Sequence, residues 1–192
     1  MSNISIRPAR PSDIPTITRI YTHAVMHGTA SFELEPPDET EMIRRMRTIF
    51  DGKFPYIVAE IDGVVAGYAY ASLYRTRPAY RFTVENSVYV APDMQRRGIG
   101  KVLLQALIDA CTALGFRQMI AVIGDSNQAA SIGVHRACGF TDAGNLRSIG
   151  WKFGRWLDTP LMQLALGPGA ASPPQETETK PGQDGSSGNN LH

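Results

Sequence analysis

The stretch 88–110, VYVAPDMQRRGIGKVLLQALIDA, constrains the fold of this chain more than any other. A short apolar strand runs into a turn, two arginines and two glycines follow, and a long apolar-periodic helix begins after Gly100. A helix N-terminus leaves its first N–H groups without intrahelical partners and carries partial positive charge. Gly98 and Gly100 remove the side chains that would hold an anion away from those groups, with Ile99 between them. Arg96 and Arg97 add guanidinium charge, and Gln95 a neutral donor. The arrangement suits a phosphate and, better, a pyrophosphate. A dinucleotide fingerprint G-x-G-x-x-G would need glycine where Leu103 stands, so a Rossmann unit fits poorly. On these residues alone, a solvated basic turn is the remaining alternative.

The chain around this stretch alternates strands and helices. Residues 4–9 (ISIRPA) read as a strand, and Ser12 or Asp13 as the cap of a helix over 13–26. Asp38 begins a second helix to about Phe50. The runs 56–61 and 64–74 flank Asp62-Gly63, a two-residue hairpin signal, and 81–90 reads as the next antiparallel strand. The helix after Gly100 places Val102, Leu103, Ala106, Leu107, Ala110 and Leu114 on one stripe and ends at Gly115. A buried strand at 119–124, a helix at 126–138 and two further strands to Leu166 complete the pattern. An antiparallel meander followed by a strand–helix–strand crossover makes a mixed α/β sheet in a single domain, 1–166. The last 26 residues, 167–192, hold no aromatic or β-branched aliphatic residue and nine Pro or Gly, the composition of a disordered tail.

A net charge of +1 gives no field for gathering nucleic acid or an anionic membrane, and no apolar run is long enough to cross a bilayer. Cys111 and Cys138 form neither a CxxC pair nor a disulfide framework, which points to a reducing, cytoplasmic setting. His23 and His27 are spaced i, i+4 but lack the acidic or thiol neighbours of a metal site, so no metal is expected.

The segment QRRGIG, between its strand and its helix, resembles the acyl-CoA signature Q/R-x-x-G-x-G/A of the GNAT superfamily of N-acetyltransferases. RPARPSDIPTITRIY and NQAASIGVHRACGF resemble the family's first and last helices with their adjoining strands. More narrowly, SFELEPP, TVENSVYV, AVIGDSNQAASIGVHRACGF and WKFGRWLDTPLMQL resemble the phosphinothricin and methionine sulfoximine N-acetyltransferases, and these stretches spread over about 4–166. The resemblance implies the GNAT fold, a mostly antiparallel central sheet splayed between its fourth and fifth strands and flanked by helices. It implies acetyl-CoA as co-substrate, its pantetheine arm on the backbone of Val88, Tyr89 and Val90. The pyrophosphate would rest on 95–101, with Asn127 reaching toward it. It also implies a homodimer in which the last strands and the segment KFGRWLD help form the interface or the pocket wall.

Acetyl transfer to an amine needs a neutral amine, a polarised thioester carbonyl and a proton for the departing thiolate. Strand alternation places Thr83, Glu85, Ser87 and Tyr89 on one face, with Phe82, Val84, Val88 and Val90 on the other. A bulge would alter that register. Glu85, a mid-strand carboxylate, is the expected acceptor of the ammonium proton; a rim carboxylate paired with a nearby arginine is the alternative. His135 stands where many superfamily members carry a tyrosine acid, and the narrower subfamily has histidine there too. Arg75 and Arg77 can fork a carboxylate, and the subfamily match extends substrate binding to Thr76, Asn86 and Ser87, with Phe32 as an aromatic lid. Arg75 stands where the phosphinothricin branch typically has lysine, which tips the expected substrate toward methionine sulfoximine or sulfone. The competing readings are acetylation of a peptide N-terminus, a polyamine or an aminoglycoside, and a non-catalytic acyl-CoA sensor. A fork of arginines argues against cationic acceptors, and a sensor has no use for Glu85 and His135.

Overall fold

The computed structural model describes residues 4–175. Seven strands form one sheet in the order β1-β2-β3-β4-β5-β7-β6. β1 (Ile4–Pro8) is an edge strand, the place a sheet tolerates a proline. α1 (Ile14–His27) and α2 (Glu39–Asp51) follow. Asp38 caps α2 as expected, its carboxylate accepting the Glu41 N–H at 2.8 Å. Asp13 does not cap α1. Its oxygens are taken by Arg7 at 2.8 Å each and by the Arg10 N–H at 2.7 Å, and the Arg7 guanidinium holds its pKa below the usual carboxylate range.

β2 (Tyr56–Ile61) and β3 (Val64–Leu73) turn at Asp62-Gly63, both at positive φ, 52° and 78°, as a primed hairpin turn requires. β4 (Thr83–Val90) pairs antiparallel with β3 in an unbroken register, Leu73↔Val84 through Gly67↔Val90. No bulge intervenes, so the expected alternation along β4 holds. α3 (Ile99–Ala113), β5 (Gln118–Val122) and α4 (Ala129–Ala137) form the crossover region, and β6 (Thr141–Lys152) and β7 (Arg155–Ala165) a long hairpin. α4 begins three residues later than its sequence pattern, because the Asp125 carboxylate folds the preceding residues into a turn by accepting the Asn127 N–H at 3.0 Å.

The core has two layers, one on each face of the sheet. α3 packs Ile99, Leu103, Leu104, Leu107 and Cys111 against Val84, Met119 and Ala121. Val102 and Leu114, expected on the buried stripe, are 37% and 42% exposed. α3 is apolar on most of its circumference, and the sheet rather than the helix selects which side is buried. On the opposite face, α1 and α2 cover Tyr56, Val58 and Tyr68 with Ile14, Ile17, Tyr21 and Met46. Beyond Leu166 the chain turns back, and Arg117 donates to the Gly169, Ser172 and Pro173 carbonyls at 3.3, 3.2 and 2.7 Å. The remainder of the expected tail, 176–192, lies outside the described residues.

Candidate active site

The sheet opens where β4 and β5 part. Their parallel pairing comprises Thr83↔Gln118, Val84↔Met119 and Glu85↔Ile120, and beyond it β4 continues to Val90 paired with β3 alone. The Asn86 side chain sits in the crotch of this fork. Its Nδ2 donates to the Ile120 carbonyl at 3.1 Å, replacing a bond the diverging strands no longer make. That bond turns Asn86 Oδ1 toward His135 Nε2, 3.0 Å away, while His135 Nδ1 faces the Ser131 carbonyl at 2.8 Å. Both ring nitrogens therefore meet oxygen acceptors. A neutral ring satisfies one of them, an imidazolium both. Burial pushes the His135 pKa down, and the Ser131 carbonyl pulls it back. Phe140 meets the ring edge-on at 5.0 Å.

A cavity of about 120 Å³ occupies the fork, walled by 85–89 on one side and 121–124 on the other, with Gln128 just before α4, Ser131 and His135 from α4, and Ala30 from the loop after α1. Glu85 and Ser87 belong to the sheet face covered by α1 and α2; Asn86 and Val88 belong to the face covered by α3 and α4. The cavity thus passes through the sheet, with Glu85 on one side of the gap and His135 on the other. Burial pushes the Glu85 pKa above its ordinary value. Its cross-strand neighbours are Ser72 and, one pair along, Tyr70 opposite Ser87.

Tyr89 offers the cleft only its backbone, since its ring packs against Tyr21 and Tyr68 at 5.1 and 5.2 Å. Val88 and Val90 pack toward α3. The strand then runs into the cradle. Arg96 and Gly98 take positive φ, 60° and 82°, and α3 starts at Ile99. Arg96 holds a conformation that costs a non-glycine residue roughly 1–2 kcal/mol. Val102 N–H is the first to bond back into the helix, to Gly98 O at 3.1 Å. Gln95, Arg96, Arg97, Gly98 and Lys101 are exposed, whereas Ile99 is buried and anchors the turn. A methyl group at Gly100 would meet only the Val90 and Val134 side chains, at 3.7 Å or more, so packing does not require glycine there. Space over the helix end suits an anion instead.

The other expected residues lie nearby without lining the cavity. Asn127 is exposed at the turn before α4. Its neighbour Asp125 is buried and paired with Arg155 at 2.6 Å; burial pushes its pKa up, but the Asn127 N–H and then Arg155 outweigh this and hold it low. Arg75, Thr76 and Arg77 occupy the exposed β3–β4 loop, and the Arg75 guanidinium lies over the Tyr74 and Tyr80 rings at 5.2 and 5.9 Å. Phe32 is 37% exposed and rests over Gly124 and Gly150. His23 and His27 stand ring to ring at 4.8 Å, and among the described residues no three His, Cys, Asp or Glu side chains are grouped to hold a metal.

Sequence reasoning missed Ala30, Gln128, Ser131 and the loop that carries Ala30. Gln128 Nε2 donates to Thr29 Oγ1 at 2.8 Å across 99 residues of chain, a contact that no local pattern announces. The exposed side of the β6–β7 hairpin gathers Ile149, Trp151, Phe153 and Trp156, each at least 55% exposed. No helix among the described residues is long and apolar enough to cross a membrane.

Residues 18–140 match the family described as Acetyltransferase (GNAT) family. A phosphinothricin N-acetyltransferase of Alcaligenes faecalis is 53% identical over 171 residues, 89% of this chain and 87% of its own. The L-methionine sulfoximine/L-methionine sulfone acetyltransferase of Pseudomonas aeruginosa is 42% identical over 170 residues, covering 88% of this chain and 98% of the relative. Among solved structures, a GNAT superfamily phosphinothricin acetyltransferase from Sinorhizobium meliloti in complex with AcCoA superposes with a TM-score of 0.88 at 50% identity, over 92% of this chain and 95% of that one. With the opened sheet, the glycine turn at a helix mouth and relatives of this identity, the chain belongs to the GNAT family of acetyltransferases.

Proposed function

We propose that the enzyme transfers the acetyl group of acetyl-CoA directly to the α-amino group of a small amino acid analogue such as methionine sulfoximine, methionine sulfone or phosphinothricin. The observation that carries this reading is the gap through the sheet, which joins the Glu85 face to the face that bears the glycine turn and His135. The pyrophosphate of acetyl-CoA is held by Arg96, Arg97, Lys101 and the N–H groups at the start of α3, with Gln95 and Asn127 beside it. Its pantetheine arm runs along the β4 backbone at 88–90, and a strand N–H there polarises the thioester carbonyl. The acceptor approaches from the α1/α2 face. Glu85, raised by burial toward the working range, takes the ammonium proton directly or through water. The amine nitrogen then bonds to the acetyl carbon as the carbon–sulfur bond breaks, and the proton the nitrogen sheds on becoming an amide is passed through His135 to the departing thiolate.

Direct transfer is supported by the cysteines. Cys111 is buried, its thiol pushed up to about 12, and burial also raises Cys138, so neither is a ready nucleophile. Arg75 and Arg77 fork the acceptor's carboxylate, with Thr76 and Ser87 beside it, Asn86 contributing its backbone alone because its side chain is engaged by His135 and Ile120 on the other face, and Phe32 as the lid. The exposed aromatic side of the β6–β7 hairpin supports a homodimer closed through that face. Two free cysteines and a metabolic thioester as co-substrate fit a cytoplasmic enzyme.

The test is thiol release from acetyl-CoA across methionine sulfoximine, methionine sulfone, phosphinothricin, a polyamine, an aminoglycoside and an N-terminal peptide. Turnover confined to the amino acid analogues and lost in Arg75→Ala is the expected result. Turnover of the cationic acceptors, or none with any amine, overturns the assignment.

A further inference from the structure

Lys152 is an oddity of this fold. It lies near the end of β6, only 4% exposed, between the exposed rings of Trp151 and Phe153. Its ammonium donates to the Gly28 carbonyl at 3.0 Å and to the Ser31 carbonyl at 2.7 Å, and sits 5.1 Å from the Phe153 ring centre. Among the described residues no carboxylate lies within ion-pair distance of it. Glu33, the acid that acts on it from farther off, is engaged by Arg45 at 2.6 Å and by the Tyr21 hydroxyl at 2.7 Å. Burying a cation on neutral acceptors alone is unfavourable for stability, and burial does push the Lys152 pKa down. The charge is explained by what it holds.

The two carbonyls bracket Thr29 and Ala30. Ala30 lines the cavity in the fork, and the Thr29 hydroxyl takes the Gln128 amide. The Thr29 carbonyl lies so close to Gly124 that a Cβ there would overlap it, and Phe32, just past the second carbonyl, lies over Gly124 and Gly150. The segment is thus pressed onto the end of β5 and onto β6, and the ammonium of Lys152 ties it down on either side of Ala30. We infer that Lys152 is a positioning residue for the acceptor: it holds the loop after α1 in the shape that completes the acceptor side of the cavity. Its side chain does not line the cavity. The inference goes beyond the proposed function and rests on it for the identity of the acceptor. Because Trp151 and Phe153 flank Lys152 in the chain and are both exposed, the proposed dimer face lies next to the residue that holds the acceptor loop.

The experiment is Lys152→Met in the full chain, with the Michaelis constants for methionine sulfone and for acetyl-CoA measured separately. The acceptor constant is expected to rise about tenfold or more while that for acetyl-CoA stays within about twofold. Unchanged acceptor kinetics, or both constants rising together, overturns the positioning role. If Lys152→Met does not fold, Lys152→Arg decides the matter. A guanidinium keeps the charge but cannot place one compact ammonium between the two carbonyls, so the same split is expected, and wild-type kinetics would overturn the inference. Amide hydrogen exchange at 29–32 reads the loop without any turnover. Fast exchange in Lys152→Met supports the tie, and exchange as slow as wild type refutes it, even if no amine in the panel is acetylated and the proposed function has failed.

Discussion

Replacing Gly124 by alanine tests how the acceptor side of the site is assembled. Gly124 is not held at positive φ, so alanine meets no backbone penalty there, and the whole effect comes from space. A Cβ at this position would overlap the Thr29 carbonyl oxygen and reach 3.3 Å from the Phe32 ring. A backbone oxygen cannot swing aside as a side-chain end does. The loop must retreat by roughly 1.5 Å to restore ordinary van der Waals contact. That displacement exceeds the slack in the Gln128–Thr29 bond of 2.8 Å and the Lys152–Ser31 bond of 2.7 Å. Overpacking of this kind costs ~1–3 kcal/mol, and in a chain of this size that lowers Tm by roughly 3–10 °C. Ala30 moves with Thr29, so the Michaelis constant for the amino acid should rise while that for acetyl-CoA, bound beyond the gap, stays close to wild type. Thermal denaturation and steady-state kinetics with each substrate varied in turn measure both effects. A variant with wild-type Tm and wild-type acceptor kinetics would show that the loop does not press on β5, and the account of the site would fail.

Glu85→Gln should cut kcat by about a hundredfold, the scale of a lost general base, without weakening acetyl-CoA. In the wild type, kcat/KM should fall on the acid side with a midpoint above the ordinary glutamate value of 4.5, since burial raises Glu85, and that limb should vanish in the variant. Stability should show the same ionisation with a definite sign. A carboxyl raised on folding contributes stability in full below 4.5 and loses it as pH rises through its folded value, so Glu85→Gln should gain Tm relative to wild type at pH 8 but not at pH 4. Trp156→Glu, at a position 61% exposed on the proposed dimer face, should shift sedimentation velocity to the monomer; an unshifted dimer would move the interface elsewhere.

Much of the site was legible in the chain because its parts are local. The glycine turn, its arginines and the following helix occupy consecutive residues, and helix-end physics makes their meaning readable without a fold. Glu85 stood out as a carboxylate in mid-strand, and His135 through the family resemblance of its helix. The partners of His135 did not. Ser131 lies one helical turn away, but Asn86 is 49 residues distant, and the Ile120 carbonyl that orients it belongs to a third element. The arginine pair shows the opposite limit. Arg75 and Arg77 were conspicuous in the sequence, yet their loop is exposed, and Arg75 stacks on Tyr74 and Tyr80 rather than lining the fork.

Local rules by themselves determined the order of strands and helices, the primed turn at Asp62-Gly63, the cap at Asp38 and the anion cradle, because each depends on residues a few positions apart. Where the sheet opens depends instead on β4 and β5 parting after Glu85 and Ile120, while β5 goes on pairing with β7 as far as Val122. The buried stripe of α3 was chosen by the sheet it covers, since the helix is apolar on more than one side. The tie from Lys152 to Gly28 and Ser31 spans more than 120 residues, and a single lysine among aromatics carries no periodic signal. Backbone conformation is written locally, whereas a buried charge acquires its meaning only from the groups that tertiary packing brings to it.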